Sequence, residues 1–116
     1  MPRNCYSEIY LHLTWHTKED AALLKSDVED RAHRYLAHRV AQTPGAFLHE
    51  VGGTDAHLHL AVSVPPTLLL SEWIGELKGA SAHHLNHNVG LRTHFAWQTG
   101  YGIVSFGKKG LPFVKE

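Results

Sequence analysis

The 116-residue chain has only one cysteine, Cys5, so no disulfide can form within it, which excludes the disulfide-stapled secreted scaffolds. A lone cysteine opening a strand reads as a small buried hydrophobe, and its free thiol fits a reducing compartment. Long apolar runs are missing as well, and none approaches the roughly 20 residues that cross a bilayer. The start Met1-Pro2-Arg3-Asn4 lacks the hydrophobic segment of a signal peptide. The expected location is therefore the cytoplasm, with no membrane partner. Internal repeats and low-complexity stretches are absent, and apolar residues at 43% with charged residues at 19% suit a folded domain rather than a disordered one. The length allows one domain, 1–116, with one core. It excludes the barrel hydrolases that also begin with a His-x-His, because eight strand-helix units need about 250 residues.

Acid is scarce in one region. Residues 1–76 hold six Lys or Arg against ten Asp or Glu, whereas residues 77–116 hold five against one, at the last position. Lys78, Arg92, Lys108, Lys109 and Lys115 form a tract with His83, His84, His87 and His94 that can attract a phosphate backbone. So few charges are equally compatible with an ordinary solvated surface.

Histidine is abundant, with eleven in the chain, and two of them form the most informative feature, His57-Leu58-His59 within Ala56 to Val64. Residues two apart on a strand share a face, so both imidazoles project together while Leu58, Leu60 and Val62 turn the other way. Two neutral imidazoles held on a strand can bind a divalent cation. In a chain this rich in histidine, a chance pair is the competing reading.

Alternation from Cys5 to Thr17 predicts a half-buried strand with Ile9, Leu11, Leu13 and Trp15 inward and Tyr6, Tyr10, His12 and Thr14 outward. Apolar residues at three- and four-residue steps predict a helix from about Ala21 to Ala41, ended by Thr43-Pro44-Gly45. A strand over Ala46 to Val51 and a turn at Gly52-Gly53-Thr54-Asp55 lead into the histidine strand, which Pro65-Pro66 closes. A second helix, capped by Thr67 or Ser71, buries Leu69, Leu70, Trp73, Ile74, Leu77, Ala80 and Leu85; a loop is expected over Asn86 to Thr93. A glycine-containing strand over Trp97 to Gly107 follows, and Leu111-Pro112 opens a third helix. The order strand, helix, strand, strand, helix, strand predicts an α+β fold, a ferredoxin-like sandwich (βαββαβ) with an antiparallel sheet and its helices on one face.

Three segments come here in order: Asp55 to Pro66 with its histidine pair, Leu77-Lys78-Gly79-Ala80-Ser81, and Trp97-Gln98-Thr99-Gly100-Tyr101-Gly102. With the opening strand Tyr10 to Trp15, they make essentially the whole chain resemble the insertion-sequence-200-like transposases, single-tyrosine members of the His-hydrophobic-His (HUH) endonuclease superfamily. The resemblance implies DNA transposition, through cleavage and rejoining of single-stranded or hairpin DNA at insertion-sequence ends. It implies a divalent metal, Mg²⁺ or Mn²⁺, on His57 and His59 with a third ligand, usually Gln. It also implies a homodimer in which the tyrosine helix of one subunit can serve the histidine pair of the other. The chemistry is coherent: the metal stabilises charge on the scissile phosphate, and a phosphotyrosine link stores the bond energy for rejoining.

In the family the nucleophilic tyrosine and the third ligand lie on the helix after the last strand, which here places the tyrosine just beyond Glu116. The expectation is therefore that the chain by itself cleaves DNA poorly and binds metal weakly. Tyr101 is a weak substitute, for which packing on the sheet is the stronger reading. The DNA-binding candidates are Lys78, Arg92, Lys108 and Lys109. Trp97 could stack on an unpaired base, whereas Trp73 belongs to the core stripe. His16 ends the first strand as a surface histidine, and His83, His84 and His87 lie on the polar side of the second helix, where they could chelate a metal although no third-ligand spacing supports it. The alternative function is a small metal-binding protein or enzyme that uses the His57/His59 pair without DNA; a partner-binding sandwich with incidental histidines is a second rival.

Overall fold

Four strands make one antiparallel sheet in the order β2-β3-β1-β4 in the computed structural model, which describes residues 9–88, 91 and 93–107. The elements run β1 (Ile9–His16), a 3₁₀ turn (Lys18–Asp20), α1 (Asp27–Ala41), β2 (Phe47–Gly53), β3 (His57–Val64), α2 (Leu70–Asn88) and β4 (Gly102–Phe106). This is the ferredoxin-like topology read from the sequence. The segments 5–8 and 111–116, expected to start a strand and a helix, lie outside the described residues.

Strand alternation determines which side is covered. Leu11, Leu13 and Trp15 of β1 and Leu58, Leu60 and Val62 of β3 are all buried, and they join Leu36 and Val40 of α1 and Trp73, Ile74, Leu77 and Leu85 of α2 in one core. Fully burying a side chain of this size contributes about 1.5–3 kcal/mol, so this layer dominates the stability. The other face of the sheet carries His12, Thr14 and His16 beside His57 and His59.

Element boundaries differ from the sequence reading in four places, each for a local reason. α1 starts at Asp27 rather than Ala21, because Glu19, Asp20 and Ser26 all have positive φ and break the helical path. Leu24 is buried all the same, in extended chain whose backbone N–H donates to the Asp55 carbonyl. β2 runs through Gly53, which confines the turn to Thr54–Ala56, where Thr54 N–H donates to His57 O at 3.0 Å. α2 starts at Leu70, which puts Ser71 inside it and leaves Leu69, expected on its buried side, exposed before it; the helix continues through Asn86 to Asn88, where a loop was expected. There the Asn86 amide donates to Phe95 O (2.9 Å) and accepts Phe95 N–H (2.7 Å), pinning Phe95 into the core. β4 covers only Gly102–Phe106; Trp97 makes an isolated bridge to Thr17, and Gly100, at φ +96°, turns the chain between them.

Candidate metal and nucleic-acid site

Pairing of β1 with β3 sets His16 opposite His57 and Thr14 opposite His59. This register gathers side chains that lie about 40 residues apart in sequence onto one open face. The His57 and His59 rings lie side by side, 6.2 Å between centroids and 27° from parallel. His12 meets His59 edge to face at 5.2 Å, and His16 lies 5.5 Å from His57.

Each ring has a distinct support. The Thr54 hydroxyl accepts Ala56 N–H and sits 2.8 Å from His57 Nδ1, so Nε2 is the His57 nitrogen left for a ligand. His16 Nδ1 lies 2.9 Å from Asp20 Oδ1, at the strained turn after β1. His59 lies over Gly52 of β2, where an added Cβ would come within 2.9 Å of Nε2; glycine is the residue that leaves room for this ring. Burial lowers the pKa of His12, and burial followed by the neighbouring His12 and His57 lowers that of His59. Both rings therefore stay neutral, the form that offers a lone pair to a metal. His59 Nδ1 and His12 Nε2 are buried without a hydrogen-bond partner, an arrangement that typically costs about 1–3 kcal/mol per group.

The donor chemistry of His57 and His59 fits a divalent cation. Two nitrogens bound about 2.1 Å from one ion would bring the centroids closer than they now stand, so one ring must turn toward the other. Among the described residues no third His, Cys, Asp or Glu completes a three-ligand group. At the end of β1, a hollow of about 410 Å³ is lined by Thr14, His16, Asp20, Gln98 and Tyr101, among others, but by neither His57 nor His59.

The other sequence candidates are dispersed. Lys78 lies on α2 and donates to Gln98 O (2.7 Å) and Gly100 O (2.5 Å), which leaves one ammonium hydrogen; burial lowers its pKa. Arg92, Lys108 and Lys109 lie outside the described residues. Trp97 donates its indole N–H to Ser81 Oγ at 2.9 Å and stands edge-on to Trp15 and Phe95, a packing position. Trp73 is buried, as expected, with its N–H on Thr43 Oγ1. Tyr101 is 42% exposed at the hollow beside His16, Tyr10 is buried against His49 and Phe106, and Tyr35 stacks on His84. Sequence reading missed His12 and Gly52. Strand alternation put His12 on the outward face, but only the register shows what it meets there, and Gly52 was read as part of the turn.

A family model described as "Transposase IS200 like" matches residues 5–116. The chain belongs to the IS200-like transposase family. Among solved structures it is similar to a "putative transposase" from Deinococcus radiodurans R1, with TM-score 0.82 and 20% identity over 98% of this chain and 91% of that one. It is also similar to the REP-associated tyrosine transposase bound to a REP hairpin, with TM-score 0.68 and 14% identity over 99% of this chain and 67% of that one. At these identities the two likenesses concern the fold. No curated protein matches the sequence. No helix among the described residues is long and apolar enough to cross a membrane.

Proposed function

We propose that this chain, as a single transposase domain spanning 1–116, binds single-stranded or hairpin DNA through the open face of its sheet and takes part in DNA transposition. The observation that carries the reading is the side-by-side placement of His57 and His59 on one sheet face, with His12 and His16 against them and His16 bordering a hollow, on a family-matched fold. His57 and His59 would hold a divalent metal, Mg²⁺ or Mn²⁺, which when bound supplies Lewis-acid stabilisation to the scissile phosphate. Thr54 orients His57, Gly52 makes room for His59, and burial keeps His12 and His59 unprotonated. The hairpin in the REP-associated relative supports hairpin DNA as the ligand class.

Strand cleavage needs a nucleophile, and the family pattern assigns it to a tyrosine on the helix after β4, with the third metal ligand nearby. The packing of Tyr10 and Tyr35 agrees with that assignment, and Tyr101, at the hollow, is the described tyrosine to test as a substitute. A homodimer in which that helix is shared between subunits completes the proposal. Lys78, Arg92, Lys108 and Lys109 would contact the phosphate backbone, with Lys78 contributing the one hydrogen its carbonyl partners leave.

The test is fluorescence anisotropy with a labelled single strand containing a hairpin, in Mn²⁺ or in a chelator. The expected result is metal-enhanced binding that the double variant His57→Ala/His59→Ala loses. Equal affinity for the hairpin strand and for a blunt duplex, unaffected by metal, overturns the reading. Rising salt should weaken binding by counterion release, and Lys108→Ala/Lys109→Ala should lower the log–log slope by roughly 1–2.

A further inference from the structure

We infer that His83 and His87 on α2 form a second metal site, selective for a borderline transition-metal ion such as Zn²⁺, Ni²⁺ or Cu²⁺ and independent of the His57/His59 pair. The two residues are one helical turn apart, the i, i+4 spacing that brings side chains together on a helix and lets two imidazoles grip one ion. Their rings already stack at 4.0 Å between centroids, 25° from parallel, on the exposed side of the helix.

The hydrogen bonding of His87 adds a second, independent argument. Its Nδ1 lies 2.9 Å from the His83 carbonyl oxygen. A carbonyl can only accept, so Nδ1 must carry the proton, and in the neutral ring Nε2 then carries the lone pair. An imidazole that donates one nitrogen to a backbone carbonyl while the other faces outward is the arrangement found at metal-ligating histidines, where the second bond fixes the tautomer and raises ligand basicity. His87 is thus set as an Nε2 ligand before any ion arrives.

The surroundings determine which ion. His83 and His87 border a hollow of about 470 Å³ whose lining includes His94, Asn86 and Trp97 and, among the described residues, no carboxylate. Lys78 also lines it, with its ammonium tied to the carbonyls of Gln98 and Gly100. Mg²⁺ and Ca²⁺ require oxygen ligands and would find no anionic one here, whereas imidazole nitrogens suit Zn²⁺, Ni²⁺ and Cu²⁺. No third His, Cys, Asp or Glu among the described residues closes the site, so water fills the remaining positions and the ion stays accessible to an outside ligand.

Isothermal titration of the tag-free full chain with ZnCl₂ in excess Mg²⁺ tests this, using His57→Ala/His59→Ala as the background. That background should retain one zinc equivalent per chain. Adding His83→Ala/His87→Ala, both exposed helix positions that tolerate alanine, should abolish it, while His84→Ala at the neighbouring position should leave it unchanged. Zinc-induced NMR shifts of the His83 and His87 ring protons should accompany binding. The inference is overturned if zinc uptake survives the His83/His87 substitutions, if the background binds no zinc, or if millimolar Mg²⁺ displaces the ion.

Discussion

The two faces of β1 and β3 are built from the same strands and share one backbone, yet they have opposite chemistry. On the covered side, Leu11, Leu13, Leu58, Leu60 and Val62 pack against both helices with almost no exposure. On the open side stand His12, His16, His57 and His59, joined by His49 of β2, and the imidazole nitrogens His12 Nε2, His49 Nε2 and His59 Nδ1 are buried without partners. The covered face is where the fold gains its stability. Trp15 Nε1 in the core also lacks a partner, but three such atoms cluster on the open face, where a bound ligand could pair them.

Neighbouring residues on β3 give the sharpest way to break this comparison. Leu60→Ala should lose about 2–5 kcal/mol, read from the urea midpoint, through lost burial and the cavity left behind. His59→Ala, one residue away on the other face, should change stability by less than about 1 kcal/mol while removing metal binding. If the two variants prove equally destabilising, the open face is a core in its own right, and the division between stability and binding fails.

Adjacent glycines of β2 should separate the same two properties. Gly53 has φ +149°, and a Cβ there would collide with the His57 carbonyl, so Gly53→Ala should lose about 1–3 kcal/mol in denaturation. Gly52→Ala meets the flexible His59 ring instead of backbone. It should leave the midpoint nearly unchanged and weaken Mn²⁺ binding, measured by titration. Unaltered metal affinity in Gly52→Ala would remove His59 Nε2 from the ligand set.

A smaller effect is expected from acid. His12 and His59 have folded-state pKa values below the ordinary 6.5, so below that pH the unfolded chain binds protons that the native chain resists. Stability should therefore be unaffected by these two groups above pH 6.5 and decline as pH falls from 6.5 toward their folded values. A melting-temperature series from pH 7.5 to 5 should be flatter in His12→Gln/His59→Gln. An equal slope in wild type and variant would show that acid acts on the covered face or elsewhere. Smallest of all is the helix surface: Arg34→Ala breaks an exposed pair with Asp30 at 3.0 Å and should shift stability by no more than about 0.5 kcal/mol.

Much of the fold was legible in the sequence because it depends on local rules. Alternation placed Leu11, Leu13, Trp15, Leu58, Leu60 and Val62 correctly in the core, although Tyr10, read as outward, is buried against His49 and Phe106; helical spacing found α2, and strand-helix order gave the sandwich. The misplaced boundaries lay where side chains compete with local preference: the positive φ of Glu19, Asp20 and Ser26 held back α1, and the Asn86 amide shaped the approach to β4. The site was legible only in part. His57 and His59 are two residues apart, so strand geometry alone puts them on one face, and the motif order pointed to the family that the match over residues 5–116 establishes.

Pairing register decided the rest, because it is a long-range property that no window of sequence contains. It set His12 against His59, His16 against His57 and Gly52 beneath His59, while the packing of α2 against the segment before β4 closed Lys78 onto the carbonyls of Gln98 and Gly100. The sequence by itself determined which side chains could bind a metal or a phosphate. Tertiary structure decided which of them meet, since contacts between residues 12, 52 and 59 exist only after three strands have aligned and the apolar face has been buried.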